Sequence, residues 1–389
     1  MKNASHTASA ATIRGLAVFP ALSAAIALIF AAIFVFSTPT AVAQVSGPDQ
    51  PLEGVVPGNT TDGASADAEL WRQIRQGAQG TVAGQDPRST QLIQSDGYYW
   101  QETRNGPLAL YTAWGILGII FLVSIFFAIR GRIRVEHGLS GHTIKRFSLV
   151  ERVSHWLLAS SFIVLALTGL NLLFGRDLII PLIGKEAFAA ITIYGKFIHN
   201  YVAFAFMASL VMITVLWIGR NLPNWHDIVW ILRGGGLFGG GHPKARKFNA
   251  GQKILFWLVI LCGISISLSG WALLYPFQTS MFGETFALLN SWFGWNLNAN
   301  LSAVQEQQYQ ALWHTIMAAF MIVVVIGHIY IGTVGMEGAL SAMTTGEVDA
   351  NWAREHHSLW VEEVEAEAKA EAEEARRSAT DDGKLQPAE

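Results

Sequence analysis

Two histidines on one long apolar segment have the residue type and the spacing to hold metal centres. His314 and His328 lie fourteen positions apart in the segment from Tyr309 to Thr333. On an α-helix this spacing returns nearly to the same face about 21 Å further along the axis. A ligating residue inside a membrane-spanning segment is costly to place there and therefore marks a functional site. The two imidazoles predict two stacked metal centres at different depths of one helix.

These histidines must be positioned by helices that cross a membrane. The chain has 389 residues, of which 51% are hydrophobic and only 14% charged, a composition typical of integral membrane proteins. Five apolar stretches each approach the ~20 residues needed to cross the hydrocarbon core. They run from Leu108 to Ile129, Val153 to Phe174, Tyr194 to Ile218, Ile254 to Leu274 and Tyr309 to Thr333. The predicted fold class is an all-α integral membrane protein.

Residues 1–43 have the pattern of a secretory signal. An apolar run from Leu16 to Phe36 follows two basic residues, and Ala41-Val42-Ala43 forms a small-residue cleavage site. The run is longer than usual, so an uncleaved anchor is the alternative, and either outcome exports the residues that follow. Residues 44–107 are interpreted as a periplasmic arm that packs on a partner, with a disordered linker as the alternative.

Basic residues assign the loops to the two sides of the membrane, because Lys and Arg collect in cytoplasmic loops. None lies between Pro276 and Gln310, whereas two other loops are rich in them. The basic residues of these two loops are Arg130, Arg132, Arg134, Lys145, Arg146, Arg152, Arg220, Arg233, Lys244, Arg246, Lys247 and Lys253. This bias agrees with the signal and predicts a cytoplasmic C-terminus, so residues 336–389 are interpreted as a charged, helical cytoplasmic tail that carries no chemistry.

Depth in the membrane divides the eleven histidines into two groups. Seven lie in the signal, the inner loops and the tail and are interpreted as solvent-facing: His6, His137, His142, His226, His242, His356 and His357. Four histidines lie at membrane depth. The predicted topology places His199 with His314 near the outer face, and His155 with His328 near the inner face.

Two such pairs match the needs of two b-type haems. Each iron takes two axial imidazoles from facing helices, and the macrocycle fills apolar space within the bundle. Zinc or copper would have too few protein ligands at a two-imidazole site. The single cysteine, Cys262, excludes a disulfide framework, a cysteine-ligated iron–sulfur cluster and covalent C-x-x-C-H haem attachment within this chain. Cys262 itself is interpreted as a small apolar residue packed between helices.

Four sequence segments carry a resemblance to a known family. They are Phe147–Trp156 with its His-Trp pair, Lys196–His199, Lys247–Lys253 with the run N-A-G-Q-K, and Trp352–His357. Together with the spaced His314 and His328, they make the chain from about Phe147 to Val364 similar to the cytochrome b (gamma) subunit of membrane-bound respiratory formate dehydrogenase. The related di-haem subunits of nickel–iron hydrogenases and thiosulfate reductases share the four-helix plan and remain the alternative.

The resemblance implies a four-helix di-haem cytochrome b bundle over residues 147–335, with one extra N-terminal transmembrane helix at residues 108–130. It implies a multi-pass subunit of the bacterial inner membrane within a formate:quinone oxidoreductase. Electrons would arrive from a periplasmic iron–sulfur (beta) subunit, and through it from a molybdenum or tungsten catalytic (alpha) subunit. They would pass through two b haems to menaquinone or ubiquinone near the cytoplasmic face. Neither formate chemistry nor a nucleic-acid partner is expected of this chain.

Residue by residue, the resemblance gives His199 and His314 to the outer haem iron and His155 and His328 to the inner one. It gives Asn249, Gly251 and Gln252 to the quinone site; on the residues alone, the two amides more often cap a helix. No catalytic residue is assigned. The family core lacks both the exported arm and the helix at residues 108–130, so this chain's docking of its partners is left open.

A function of a different class is a membrane transporter or assembly protein whose histidines bind no haem. Transporters usually show repeated halves and broken helices, and neither pattern is present in the sequence. A haem spectrum would distinguish the two classes.

Overall fold

The computed structural model describes residues 95–236 and 241–382. The predicted signal at residues 1–43 and most of the predicted arm at residues 44–107 lie outside this part of the chain. The described residues are mainly helical and contain one short antiparallel ribbon.

The helices and strands are numbered here in chain order. They are α1 Ser95–Thr103, α2 Ala109–Arg130, β1 Thr143–Lys145, α3 Leu149–Leu178, α4 Ile180–Ile183, α5 Lys185–Trp217, α6 Trp225–Leu232, α7 Ala250–Leu274, α8 Met281–Phe293, α9 Ala303–Tyr330, α10 Ser341–Thr344, β2 Glu347–Asp349, α11 Ala350–His356 and α12 Ser358–Asp382. π-helical turns at Arg104–Leu108 and Ile331–Gly335 precede α2 and follow α9, and 3₁₀ turns lie at Ile218–Arg220 and Gly234–Gly236.

Five of these helices are long and apolar enough to cross a membrane, which confirms the predicted all-α membrane fold. They are α2, α3, α5, α7 and α9. Four of them, α3, α5, α7 and α9, begin several residues before the predicted apolar stretch. In α3, α7 and α9 a polar capping box starts the helix. The boxes pair Ser148, Asn249 and Ser302 with the residue three positions later, and so satisfy backbone N–H groups that have no partner within the helix.

Helices α3, α5, α7 and α9 form a bundle around one apolar core. The buried residues of this core are Phe162, Phe206, Leu210, Ile213, Phe256, Ile260, Cys262, Met321 and Ile322. Cys262 is buried among them, as predicted. Helix α2 packs on α9 at the edge of the bundle, where Phe126 and Phe127 meet the ring of Tyr330 edge-on. Most of its surface is exposed, as suits a helix that faces lipid or another subunit.

A small packed module covers one end of the bundle, which we call the ribbon end. Strands β1 and β2 pair antiparallel, with Ile144 opposite Val348. Its core joins both basic loops to the start of the tail and consists of Val135, Phe147, Phe248, Ala342, Val348, Trp352, Ala353, Trp360 and Val361. The opposite end of the bundle carries α8 and is called the α8 end.

The interpretation of the tail histidines as solvent-facing is wrong for His357, which is fully buried. Its Nδ1 donates to the carbonyl of Arg246 at 2.7 Å, so its Nε2 accepts from Nη2 of Arg146 at 3.0 Å. Burial lowers the pKa of the Arg146 guanidinium to about 9. His356 is also largely buried, with a side chain only 10% exposed. The beginning of the tail therefore belongs to the packed module, and only the later part of α12 is an exposed, charged helix.

Candidate metal centres

The structure brings together both pairs of histidines that the sequence predicted. His199 on α5 faces His314 on α9, with ring centroids 6.2 Å apart and ring planes at 64°. His155 on α3 faces His328 on α9, with centroids again 6.2 Å apart and planes at 73°. The first pair lies toward the α8 end and the second toward the ribbon end. Helix α9 thus contributes one imidazole at each of two levels.

The separation of the rings fits one metal held between two imidazoles. Metal–imidazole bonds of about 2.0–2.1 Å, plus about 1.1 Å from each nitrogen to its ring centroid, place trans imidazoles about 6.3 Å apart. A direct N–H···N hydrogen bond near 2.9 Å would instead bring the centroids to about 5 Å. Both observed distances match the first arrangement and are too long for the second.

At the α8 end, hydroxyl groups fix which ring nitrogen is available. Oγ1 of Thr168 lies 2.8 Å from Nδ1 of His199 and donates its own proton to the carbonyl of Val164 at 2.7 Å. Oγ of Ser269 lies 3.0 Å from Nδ1 of His314 and likewise donates to helical carbonyls. Since each hydroxyl has only one proton, each must accept from Nδ1–H. The lone pair is therefore left on Nε2, the nitrogen that can bind a metal.

A cavity of about 410 Å³ lies between the helices and is lined by both His199 and His314. Its volume is in the range of pockets that hold cofactors, and its wall is mostly apolar. Glycines allow the imidazoles to lie against the neighbouring helices: a Cβ at Gly169 would lie 3.6 Å from Cε1 of His199, and a Cβ at Gly270 would lie 3.2 Å from Cε1 of His314. These observations fit a flat, apolar macrocycle held by two axial imidazoles.

The same cavity has a basic side that the sequence analysis did not identify. Arg104 and Lys196 line it together with Asn200. Arg104 lies in the π-helical turn before α2, and its guanidinium donates to the carbonyl of Leu172 at 2.7 Å. Cations at this position are suited to pair with the carboxylates of a haem. The only feature of the sequence that could have indicated Arg104 is its position as a single basic residue just before an apolar span. Thr168 and Ser269 could not be predicted, because their roles depend on contacts with histidines on other helices.

The pair toward the ribbon end has aromatic surroundings. The ring of His155 lies 5.4 Å from Trp156 and 6.4 Å from Trp217. Nδ1 of His155 is buried and has no hydrogen-bond partner among the residues that the structure describes. Because buried polar atoms are nearly always paired, this nitrogen indicates that the site is completed by a group other than these side chains.

The residues predicted for a quinone site lie at the start of α7, at the ribbon end. Oδ1 of Asn249 accepts from the backbone of Gln252 at 2.9 Å, and Oε1 of Gln252 accepts from the backbone of Asn249 at 3.1 Å. Gly251 allows close packing, since a Cβ there would lie 3.1 Å from the ring of Trp230. The capping interpretation of the two amides is therefore confirmed. The box uses their oxygens, which leaves the NH₂ groups as possible donors to a ligand.

Comparison with known proteins identifies the family. Residues 146–346, just over half of the chain and including all four paired histidines, match the family described as prokaryotic cytochrome b561. The chain belongs to this family. A cytochrome b carries b-type haem, and the paired histidines of this cytochrome b561 have the donor type and spacing for it. Helix α2 and the chain after residue 346 lie outside the matched range.

Relatives of this cytochrome b561 include subunits of formate dehydrogenases. It is 26% identical over 236 residues to the cytochrome b556(Fdn) subunit of the nitrate-inducible formate dehydrogenase of Escherichia coli K12, covering 59% of this chain and 96% of that protein. It is 26% identical over 233 residues to the cytochrome b556(fdo) subunit of the same organism, covering 59% and 98%. The corresponding subunit of Haemophilus influenzae Rd is 23% identical over 221 residues, covering 54% and 79%.

Proposed function

We propose that this chain is the membrane electron-transfer subunit of a formate dehydrogenase complex and passes electrons through two b haems to a quinone. The observation that carries the proposal is the repeated geometry of the histidines: two imidazole pairs with the same 6.2 Å separation, sharing α9 at positions fourteen residues apart. The names of the relatives, which are formate dehydrogenase subunits, support formate as the source of the electrons. When bound, each haem supplies a one-electron Fe(III)/Fe(II) couple.

The side chains of the chain hold and orient these groups. His199 and His314 would hold one iron, and His155 and His328 would hold the other. Thr168 keeps His199 in the tautomer that leaves Nε2 free for the metal, and Ser269 does the same for His314. Apolar residues of the bundle exclude water, which tunes the potential of each iron.

We place the ribbon end in the cytoplasm and the α8 end in the periplasm. The two loops at the ribbon end contain twelve Lys and Arg residues, and the segment from Pro276 to Gln310 at the α8 end contains none. Electrons therefore enter at the α8 end from an iron–sulfur subunit, which in turn receives them from a molybdenum or tungsten subunit. They leave at the ribbon end, in the inner membrane of the bacterium.

The quinone is held at the start of α7. The amide NH₂ groups of Asn249 and Gln252 donate to a quinone carbonyl while their oxygens keep the helix capped, and Gly251 lets the ring of Trp230 pack closely beside them. The substrate is menaquinone or ubiquinone. Proton uptake from the ribbon end, combined with electron entry at the other end, would separate charge across the membrane.

The experiment that tests this function is spectroscopy of the complex purified with its native partner subunits. A dithionite-reduced minus oxidised spectrum and a pyridine haemochrome titration would be recorded, and reduction would be repeated with formate as the only reductant. Two b haems per chain that formate reduces are expected. Haems reduced by dithionite but not by formate would assign the chain to a complex with another donor, such as hydrogen. A preparation without haem would overturn the proposal.

A further inference from the structure

A second group of histidine and glutamate side chains lies at the ribbon end, outside the spanning helices. Nε2 of His242 lies 3.0 Å from Oε1 of Glu355, and Nε2 of His356 lies 3.7 Å from the same oxygen. One ligand atom from each of these three residues lies within 4.8 Å of the other two. Oε1 of Glu136 lies 3.3 Å from Nε2 of His242 and could serve as a fourth ligand atom.

We propose that His242, Glu355 and His356, with Glu136, form a binding site for a divalent transition metal of the zinc class. Two imidazoles with carboxylates favour zinc or a similar borderline cation, whereas calcium and magnesium prefer oxygen ligands alone. The site is separate from the paired histidines of the bundle and is independent of the electron-transfer function proposed above.

The distances between the ligand atoms support this assignment. With bonds of about 2.0–2.2 Å, the ligand atoms of a tetrahedral zinc site lie about 3.3–3.6 Å from each other. The three observed separations, 3.0, 3.3 and 3.7 Å, lie close to this value. The two imidazole rings are nearly perpendicular, at 88°, with centroids 5.0 Å apart.

The state of Glu355 is the second, independent observation. Its side chain is only 8% exposed, and its Oε1 is buried without a hydrogen-bond partner among the described residues. His242 lies only 3.0 Å from this oxygen, but no N–H is aimed at it with hydrogen-bond geometry. A buried carboxylate oxygen without a donor is costly. A cation among the three side chains would satisfy it.

The position of Glu136 strengthens the case. Oxygens of both Glu136 and Glu355 lie within 3.3 Å of the same nitrogen of His242. One ring nitrogen can donate at most one proton, so it cannot satisfy both carboxylates. Two carboxylates that both approach one nitrogen this closely repel each other unless a positive charge lies between them. The second oxygen of Glu355 is already bonded to the backbone N–H of Glu136 at 2.9 Å, which orients the carboxylate.

The site would connect three segments that are distant in the sequence. Glu136 belongs to the loop after α2, His242 to the loop before α7, and Glu355 and His356 to α11. The ring of Trp352, in the core of the module, lies 5.2 Å from that of His356. A bound metal would therefore fix the tail to both basic loops, and removing it should loosen the tail.

The test is to measure zinc on the complex purified through a tag without histidines. After treatment with a chelator and dialysis, ZnCl₂ would be titrated by calorimetry, and zinc would be counted by mass spectrometry separately from haem iron. The expected result is one zinc per chain. The affinity for zinc should fall by more than about 100-fold in Glu355→Gln and in His242→Ala. Even the loss of a residue that only hydrogen-bonds to a metal ligand lowers metal affinity by about 10–100-fold.

A matched control is His137→Ala, which removes an exposed imidazole next to Glu136 and should leave zinc binding unchanged. The haem spectrum of each variant shows whether the bundle is still folded. If Glu355→Gln alone fails to fold, His242→Ala at the more exposed position keeps the test decisive. Failure of the wild-type chain to bind zinc, or an affinity for zinc in both folded variants equal to that of the wild type, would overturn the proposal.

Discussion

The two histidine pairs have the same ring separation but different surroundings. At the α8 end, His199 and His314 each contact a hydroxyl group that fixes the ring tautomer. At the ribbon end, His155 packs against Trp156 and Trp217, and its Nδ1 has no partner in the described part of the chain. The protein alone therefore orients the first pair, whereas the second pair depends more on the group that it binds.

This difference predicts that the two sites bind their groups with different strengths. A preorganised site loses less conformational freedom on binding and so binds more tightly for the same contacts. The α8-end pair also borders the cavity with Arg104 and Lys196, which can neutralise the charge of a haem. The ribbon-end pair lies beside the packed module and the start of α7, where a quinone is proposed to bind. Changes on one side should therefore leave the other side largely intact.

The largest expected effect follows from removing one imidazole of each pair. His314→Ala should lose the α8-end haem and keep the other, while His328→Ala should lose only the ribbon-end haem, because in the proposed assignment each iron would be held only by the two imidazoles of its own pair. The haem content per chain, measured as pyridine haemochrome, should fall by half in each variant. His137→Ala, whose side chain is exposed, is the control.

The same two variants separate electron entry from electron exit. In His314→Ala, formate should no longer reduce the remaining haem, whereas in His328→Ala it should reduce the remaining haem but not the quinone. Full haem content in either variant would show that the pairing is wrong. Identical behaviour of the two variants toward formate would contradict the proposed direction of transfer.

A smaller effect is expected from the hydroxyl groups that orient the α8-end pair. Thr168→Val and Ser269→Ala should each weaken haem binding at that end by about 10–100-fold, as does the loss of an outer hydrogen bond at other metal ligands. A haem titration of the chain after haem extraction measures this. The ribbon-end haem should be unaffected.

The matched control is Ser160→Ala on α3. This serine also donates to a helical carbonyl, that of Leu157, but its side chain is exposed. If Ser160→Ala weakened haem binding as much as Thr168→Val, the hydroxyl would be acting through the stability of the helix rather than through His199.

Much of the bundle could be predicted because hydropathy and loop charge act along the sequence. Apolar length defines the five spans, and loop charge alternates their direction, so the depth of each histidine follows. That was enough to match His199 with His314 and His155 with His328. The ends of the helices were less predictable, because polar capping boxes rather than apolar residues determine where α3, α7 and α9 begin.

The ribbon end was less predictable because its packing joins distant parts of the chain. The bond between His357 and Arg146 spans 211 positions, and the bond between His357 and Arg246 spans 111. Near His357 the sequence is rich in charged residues, which is typical of a solvated tail. Only the folded contacts show that Trp352 and Trp360 bury this histidine and bring His356 toward His242.

An effect confined to quinone turnover is expected from Asn249→Asp. Aspartate can still cap α7 by accepting from the backbone of Gln252, but it lacks the NH₂ group proposed to donate to the quinone. Both haem spectra and the thermal stability should remain, while quinone reduction by formate should slow several-fold. Steady-state kinetics with a soluble quinone measures this.

A control for loss of a cap is Asn224→Ala at the start of α6, which removes a similar capping box with Asp227. It should affect stability and leave quinone turnover at the wild-type level. If Asn249→Asp had wild-type turnover, Asn249 would be a cap and nothing more. If Asn224→Ala slowed turnover equally, the effect would belong to the ribbon end in general.

The smallest expected effect comes from Arg104, which the additional helix α2 brings to the α8-end cavity. Reduction adds an electron, so a nearby cation stabilises the reduced haem. Arg104→Gln should therefore lower the potential of the α8-end haem alone, by about 10–40 mV, equivalent to the roughly 0.2–1 kcal/mol of a partly exposed charge pair. Potentiometric titration measures both haems at once, and the shift should shrink at high salt because exposed charges are screened. Arg130→Gln, at the other end of α2, is the control and should change neither potential. If Arg104→Gln shifted the potentials of both haems, or of neither, Arg104 would not belong to the α8-end site. Helix α2 would then have a purely structural role.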